Sequence, residues 1–399
     1  MAGSVASFYF FRLAWEDPFL SSTRPWVDRS HTPWYAWQPL FTPGASDAVI
    51  RTLIMSGALL SLGAARSRWL ALAAYFVAVC LYRWNLPLLS VDDGLAHLLL
   101  FWLVLLPRGQ KEPVAGFLPR LALANLSLIY LVAGLSKWCS PMWREGSALY
   151  AVLMLPGSRI PESWLVVWSS PLVLLTWSAL LVEPALALLP WVKGRMQRWL
   201  AGLGILFHVS LVLSFDVPVA NLACLAFYAL ALAPKPDAKP DSAPPAAAEL
   251  VGLLATVWLT ATMVGSALQS DWRGPGTGRD ELGPPHQRAL YAGLWVFGLA
   301  QQYRLLDWID QRNYALRVTG GNGQHVRLPA KLRLGLALSY LTPVRWMATG
   351  VRPCPATRPW AEWLGQGQPG DLQLQVLRVH PSTAQHHPVV FARTLTRAP

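Results

Sequence analysis

Six ionisable side chains stand inside apolar sequence, where charge is costly and residues of these types usually have a task. Lys137 ends an apolar run in YLVAGLSKWCSPMWREGSALY (130–150). Glu183 lies within LLTWSALLVEPALALLPW, and His208 within AGLGILFHVSLVLSF. Asp92 and Asp93 open SVDDGLAHLLLFW, with His97 one turn further in. A lysine shielded from water favours its neutral amine, which can act as a base. A buried carboxylate needs a counter-charge or a proton, and Lys137 or His208 could give Glu183 either. Pro184 follows Glu183, so the helix there either kinks or frees a backbone carbonyl. Plainer roles stay open. A lysine at a span end can snorkel to the interface. Asp92 and Asp93 can cap a helix N-terminus. His208 can be a hydrogen-bonded core histidine.

The elements that position these residues are membrane helices. Of 399 residues, 54% are hydrophobic and 14% charged, against roughly 25% charged in soluble domains. Mean hydropathy is +0.34. The 21 tryptophans suit a chain that crosses two lipid–water boundaries many times, where indole rings gather. The net charge of +12 would suggest nucleic acid in a soluble protein. Here the basic residues sit in short connections between apolar runs, as the positive-inside rule predicts, and no nucleic-acid partner is expected.

A membrane helix needs about 20 mostly apolar residues. Candidate spans fall at 46–65, 68–86, 92–107, 117–137, 164–190, 198–214, 217–233 and 248–268. The stretch 288–301 reads as a last half-helix or interfacial helix. Residues 1–45 read as an N-terminal interfacial segment without a signal-peptide pattern, because Arg12, Glu16 and Asp17 break the apolar run. A main membrane block covers 46–233, a proline- and charge-rich linker 234–248, and the last membrane or interfacial helices 249–310. The connections holding Arg66, Arg68, Arg108, Lys111, Arg120, Lys193, Arg195 and Arg198 are expected in the cytoplasm, with Lys137 and the WREG segment near the opposite surface.

Residues 311–399 change character. YALRVTGGNGQHVRLP (314–329) alternates around a Gly-Gly-Asn-Gly turn and reads as a hairpin. Residues 372–380 and 387–394 read as a second strand pair, with a helix near 331–348 between the two pairs. The expected fold is an all-α polytopic membrane bundle of about eight transmembrane helices, with a small C-terminal α+β appendage. Cys80, Cys139, Cys224 and Cys354 form no CxxC pair. His380, His386 and His387 with Cys354 could bind metal, but they read better as polar loop residues, and no metal is expected.

The stretch 130–150 resembles the hallmark of the HTTM (horizontally transferred transmembrane) domain, shared with the vitamin K-dependent gamma-carboxylase. The pattern Tyr-x-x-Ala-Gly-x-x-Lys, followed by Trp-x-x-Gly, is met by Tyr130, Ala133, Gly134, Lys137, Trp143 and Gly146. DDGLAHLLLFWLVLLP (92–107), LLVEPALALLPW (181–191) and FHVSLVLSFDVPVANLACLAFYAL (207–230) resemble the family's acidic-entry span, intramembrane glutamate and Phe-His hairpin, in that order. The resemblance covers residues 46–310.

It implies a multi-pass integral membrane protein, in the cell membrane if the source is bacterial. It also implies carboxylase-like carbon–carbon lyase chemistry, with vitamin K hydroquinone or menaquinol as cofactor and a glutamate-containing peptide as one candidate substrate. Lys137 would then deprotonate the quinol, with Glu183 and His208 as its catalytic partners. Asp92, Asp93, His97, Trp143 and Arg144 would contact substrate. Ser136 stands where the carboxylase has a second lysine, and Asp92 and Asp93 fall near the place of its other histidine. A non-enzymatic module that binds a membrane lipid, a quinone or a partner protein is the second reading. A transporter is the third, without an internal repeat to support it.

Overall fold

The computed structural model describes residues 1–15, 47–84, 91–106, 117–153, 158–215, 217–233, 246–269, 313–320, 323, 372–379 and 389–395. Their helices, in chain order, are α1 (Ala2–Trp15), α2 (Asp47–Gly63), α3 (Arg68–Trp84) and α4 (Val91–Leu105). Next come α5 (Phe117–Cys139), α6 (Pro141–Arg144), α7 (Ala148–Leu153) and α8 (Glu162–Val167). The last four are α9 (Ser169–Leu186), α10 (Gly194–Ser214), α11 (Pro218–Leu232) and α12 (Ala246–Gln269). Each of the eight apolar stretches read from the sequence carries a helix, and the described residues are mostly helical.

Three of these helices are long and apolar enough to cross a membrane: Phe117–Cys139, Ser169–Leu186 and Gly194–Ser214. At 1.5 Å per residue they span roughly 27–35 Å, against a hydrocarbon thickness of about 30 Å. Ala48–Gly63, Arg68–Leu81, Pro218–Leu232 and Glu249–Ala261 are apolar but shorter. α5 is the central helix: 72% of its most apolar window is buried, against 17% for α10. The outward side chains of α9 and α10, such as Leu174, Leu181, Leu206 and Leu213, are exposed. A row of exposed leucines on membrane-length helices suits lipid rather than water.

Around α5 stand α9, α11 and α12, while α4 packs on α3 and α11, and α10 on α9 and α11. One core cluster joins Leu98, Trp102, Leu126, Leu186, Ala223 and Phe227. Residues 2–15 do not stand apart as an interfacial segment. They form α1, which packs against α2, α4 and α11 and buries Ala6, Tyr9, Phe10 and Leu13. Small residues allow this approach, as they do between membrane helices generally. A β-carbon on Gly3 would lie 2.7 Å from the Ser61 carbonyl oxygen. The Phe10 ring fills the space that a β-carbon on Gly57 would need.

Other boundaries also shift. The stretch 164–190 is divided at Trp168 into α8 and α9. Helix α12 begins at Ala246, inside the segment read as linker; 234–245 lie outside the described residues. The expected elements at 288–301 and 331–348, and Cys354, His380, His386 and His387, also lie outside them.

The strands β1 (Asn313–Thr319), β2 (Leu372–Val379) and β3 (Val389–Leu395) form an antiparallel sheet in the order β1-β2-β3. The β2–β3 pair is the one expected from the sequence, with a register shift between Val376 and Leu377. The first hairpin is not seen as such. Asn313 faces Val379 and Thr319 faces Gln373, so β1 pairs with β2. The return side of the Gly-Gly-Asn-Gly turn, 324–329, lies outside the described residues.

The α1–α2 contact generates a first prediction. Gly3→Ala forces the Ser61 backbone to move and is expected to cost about 1–3 kcal/mol. The midpoint of thermal unfolding, followed by tryptophan fluorescence in nanodiscs, should fall accordingly. An unchanged midpoint would contradict the packing of α1 on α2.

Candidate functional site

Helices α5 and α9 cross antiparallel, and residue chemistry sets how closely. Pro184 has no backbone N–H and so leaves the Leu180 carbonyl without its helical donor. Trp138 Nε1–H supplies the replacement, at 2.9 Å. The proline ring lies against Gly134, where a β-carbon would come within 3.0 Å of ring atoms. One end of the crossing is tied by the Ser127 hydroxyl, which donates to the Ala187 carbonyl. Thus Pro184 both frees a carbonyl and creates the flat contact that Gly134 accepts.

Between these ties, Lys137 meets Glu183. Its Nζ lies 2.7 Å from Oε1 and 2.5 Å from Oε2. The two residues are 2% and 6% exposed. Lys137 therefore does not snorkel: α5 runs on to Cys139, and the side chain turns into the protein toward a carboxylate. The Trp143 ring adds a cation–π contact, its centroid 5.2 Å from Nζ. Trp143 is itself buried, on the short helix α6.

Gly146, at φ 83°, turns the chain from α6 into α7. Only a glycine fits there, because a β-carbon would also lie 2.6 Å from Val173. The turn is pinned to α9 twice. Trp177 Nε1–H donates to the Arg144 carbonyl at 3.0 Å, and the Leu149 amide donates to Thr176 Oγ1 at 3.2 Å. Arg144 thus contributes its backbone here, while its side chain is exposed.

His208 belongs to a second cluster. Its Nε2 lies 2.5 Å from the Tyr130 hydroxyl and its Nδ1 2.7 Å from Asn221 Oδ1. Tyr130 also meets the Tyr228 hydroxyl at 2.6 Å. All four residues are buried. No hydrogen bond joins His208 directly to Lys137 or Glu183. The clusters share a helix: Tyr130 lies two turns before Lys137 on the same face of α5.

Asp92, Asp93 and His97 form a third buried group, joined by α1. Asp92 caps a second helix, α11. Its Oδ1 accepts the Ala220 amide of α11 at 2.7 Å, one of the amides a helix N-terminus leaves unbonded. Arg12 Nε stands 3.8 Å from its other oxygen. Tyr9 donates to Asp93 at 3.0 Å and approaches His97 Nε2 at 3.5 Å. The structure thus draws Lys137, Glu183 and Trp143 together, places His208 in a second cluster with Tyr130, Asn221 and Tyr228, and sets Asp92, Asp93 and His97 in a third. Among the described residues, no group of three or more His, Cys, Asp or Glu is placed to hold a metal.

Tyr228, Asn221, Trp138, Tyr9 and Arg12 were not singled out from the sequence. For Tyr130 a signal existed, since its seven-residue spacing to Lys137 is two helical turns. Compared with family models, curated proteins and solved structures, the chain gives no match.

The buried pair generates the second prediction. Glu183→Gln leaves a buried ammonium without its counter-charge and is expected to cost about 3–5 kcal/mol. Replacing both partners, Lys137→Met with Glu183→Leu, should recover most of that loss. Unfolding midpoints in nanodiscs measure both. A double variant no more stable than Glu183→Gln would show that the pair is not the dominant interaction there.

Proposed function

We propose that the chain is a multi-pass membrane protein of the HTTM type, in which Lys137 and Glu183 exchange a proton with the hydroxyl of a lipid-soluble substrate of the quinol class. The observation that carries this is the doubly bonded, water-shielded contact of Lys137 Nζ with both Glu183 oxygens. Two full charges in apolar surroundings are costly to hold. Passing one proton from Nζ to Glu183 leaves a neutral amine beside a neutral acid, and the amine is then a base. The pair can therefore accept a proton from a hydroxyl, becoming an ammonium beside a neutral acid with the substrate oxyanion as its counter-charge, and return it.

Vitamin K hydroquinone or menaquinol suits this reading, since the acid–base pair joins two membrane-length helices and the Trp143 ring lies against Nζ. A bound quinol would supply the acidic hydroxyl and the electrons for reaction with O₂. Lys137 would hold the proton, Glu183 would orient Nζ, and α6 with the Gly146 turn would shield the pair from water. The carboxylase-like extension, with a glutamate-containing peptide as substrate, rests on the sequence resemblance. The count of about eight spans rests on the apolar runs of the sequence. The rival reading, a non-enzymatic membrane module binding lipid, quinone or a partner protein, is favoured by one observation: Lys137, His208 and Asp92 all bond to groups of the protein itself.

Two experiments test this reading. Lys137→Arg keeps a positive, bidentate partner for Glu183 but cannot give up its proton. Quinol-dependent oxygen uptake in membranes, with and without a glutamate-containing peptide, should be abolished in that variant while the protein stays folded. An active Lys137→Arg protein would end the base assignment, and no uptake by the unmutated protein would favour the module. Separately, single cysteines placed at the exposed positions 141, 144 and 145 should be labelled from outside the membrane, and those at 109–113 or 193–197 only after it is opened. Equal labelling of both sets would overturn the orientation.

A further inference from the structure

Resting on the proton-transfer reading above, we propose that the Leu180 carbonyl, occupied in the resting protein by the Trp138 indole, is the point where a quinol hydroxyl docks as the molecule enters from the bilayer. The direction of entry follows from exposure. From Ile129 to Cys139, the exposed residues of α5 are Leu131, Leu135, Trp138 and Cys139. The first three recur at spacings of four and three, so they form one stripe along the helix. A molecule dissolved in lipid meets the helix of Lys137 on this stripe. Trp138, at 46% exposure, is the stripe residue that bonds to α9.

Two contacts between the helices lie side by side. Lys137 and Trp138 are neighbours on α5, and they bond to Glu183 and Leu180, one turn apart on α9. A helical carbonyl points along the axis toward the following turn, so the Leu180 oxygen faces the turn that bears Glu183. Since Pro184 offers no amide, this oxygen depends on a donor from outside its own helix. The indole N–H at 2.9 Å is that donor.

A quinol can take the place of the indole on chemical grounds. Each is a planar aromatic ring with an apolar body and a polar edge that donates a hydrogen bond. Exchanging one donor for the other keeps the carbonyl satisfied, and such an exchange costs little. The displaced indole is not stranded. Trp138 is the last residue but one of α5, at the level where tryptophan N–H groups find headgroups and water. Only hydrogen bonds change in this step; no proton or electron is transferred. The exchange also selects a redox state. A quinone has carbonyls in place of hydroxyls and cannot donate, so the reduced ring displaces Trp138 and the oxidised ring does not. Oxidation in the site thus removes the bond that admitted the ring.

The test uses the full chain in nanodiscs, labelled with ¹⁵N-tryptophan, with a tail-less naphthohydroquinone added under argon. The protein has 21 tryptophans, so Trp138→Phe, or Trp138→Tyr if that does not fold, identifies the wanted indole resonance. The hydroquinone should move this resonance toward that of an unbonded indole. Naphthoquinone and the dimethyl ether of the hydroquinone, which share the ring but have no hydroxyl, should leave it in place. A resonance unmoved by the hydroquinone, or moved equally by the ether, overturns the docking. Pro184→Ala restores an amide to the Leu180 carbonyl and removes the vacancy. In the oxygen-uptake assay it should raise KM for the quinol about 5-fold or more, the worth of one hydrogen bond. An unchanged KM also overturns the docking. Uptake with an unmoved indole would remove the docking and leave the proton-transfer reading standing. Absence of uptake in the unmutated protein overturns that reading, and the indole resonance then decides the docking by itself.

Discussion

The close contact of Lys137 with Glu183 is the constraint around which the bundle is arranged. Two opposite charges in apolar surroundings tolerate little error in position, because a gap of a few ångströms leaves each without its partner. The crossing of α5 and α9 meets that demand with unlike devices. Gly134 lets the helices approach, Pro184 presents a flat ring, and Trp138 satisfies the carbonyl that the proline leaves open. The segment after α5 then folds back, held by Gly146, Trp177 and Thr176, and lays Trp143 against Nζ.

The second cluster depends on the same helix. Tyr130 is carried on α5 two turns from Lys137, so a rotation of α5 that moved one would move the other. The division of labour is plain in the burial. α5 is enclosed by protein and carries polar side chains along its length, Asn125, Ser127, Tyr130, Ser136 and Lys137. α10 faces outward along most of its surface and buries only Ala201, Gly204 and His208.

What could be read from the sequence follows the cost of each feature. Apolar runs long enough for a membrane are conspicuous, and so the helices α2–α5 and α9–α12 were legible. A charge in such a run is conspicuous for the same reason, which is why Lys137, Glu183 and His208 stood out. Helix α1 was not legible as part of the bundle, because Arg12 read as a break in the apolar run when it is in fact a partner for Asp92. The snorkelling role for Lys137 assumed a helix ending at 137, and two further residues with a carboxylate in reach removed the need to find water. Tyr228 and Asn221 carry no charge and look like ordinary span residues. The role of Asp92 was half legible: a capping carboxylate was foreseeable, but a backbone amide on another helix leaves no mark in the sequence.

That last contact has a consequence for how the protein is made. Asp92 and Ala220 are separated by 128 residues. At about 5–20 residues per second of synthesis, the carboxylate waits several seconds or longer for the amide it will bond. Glu183 and Lys137, 46 residues apart, wait a shorter time. Through both intervals the early helices carry a charge that still lacks one of its final partners. Arg12 is made before Asp92, so a counter-charge for the carboxylate already exists when it is synthesised.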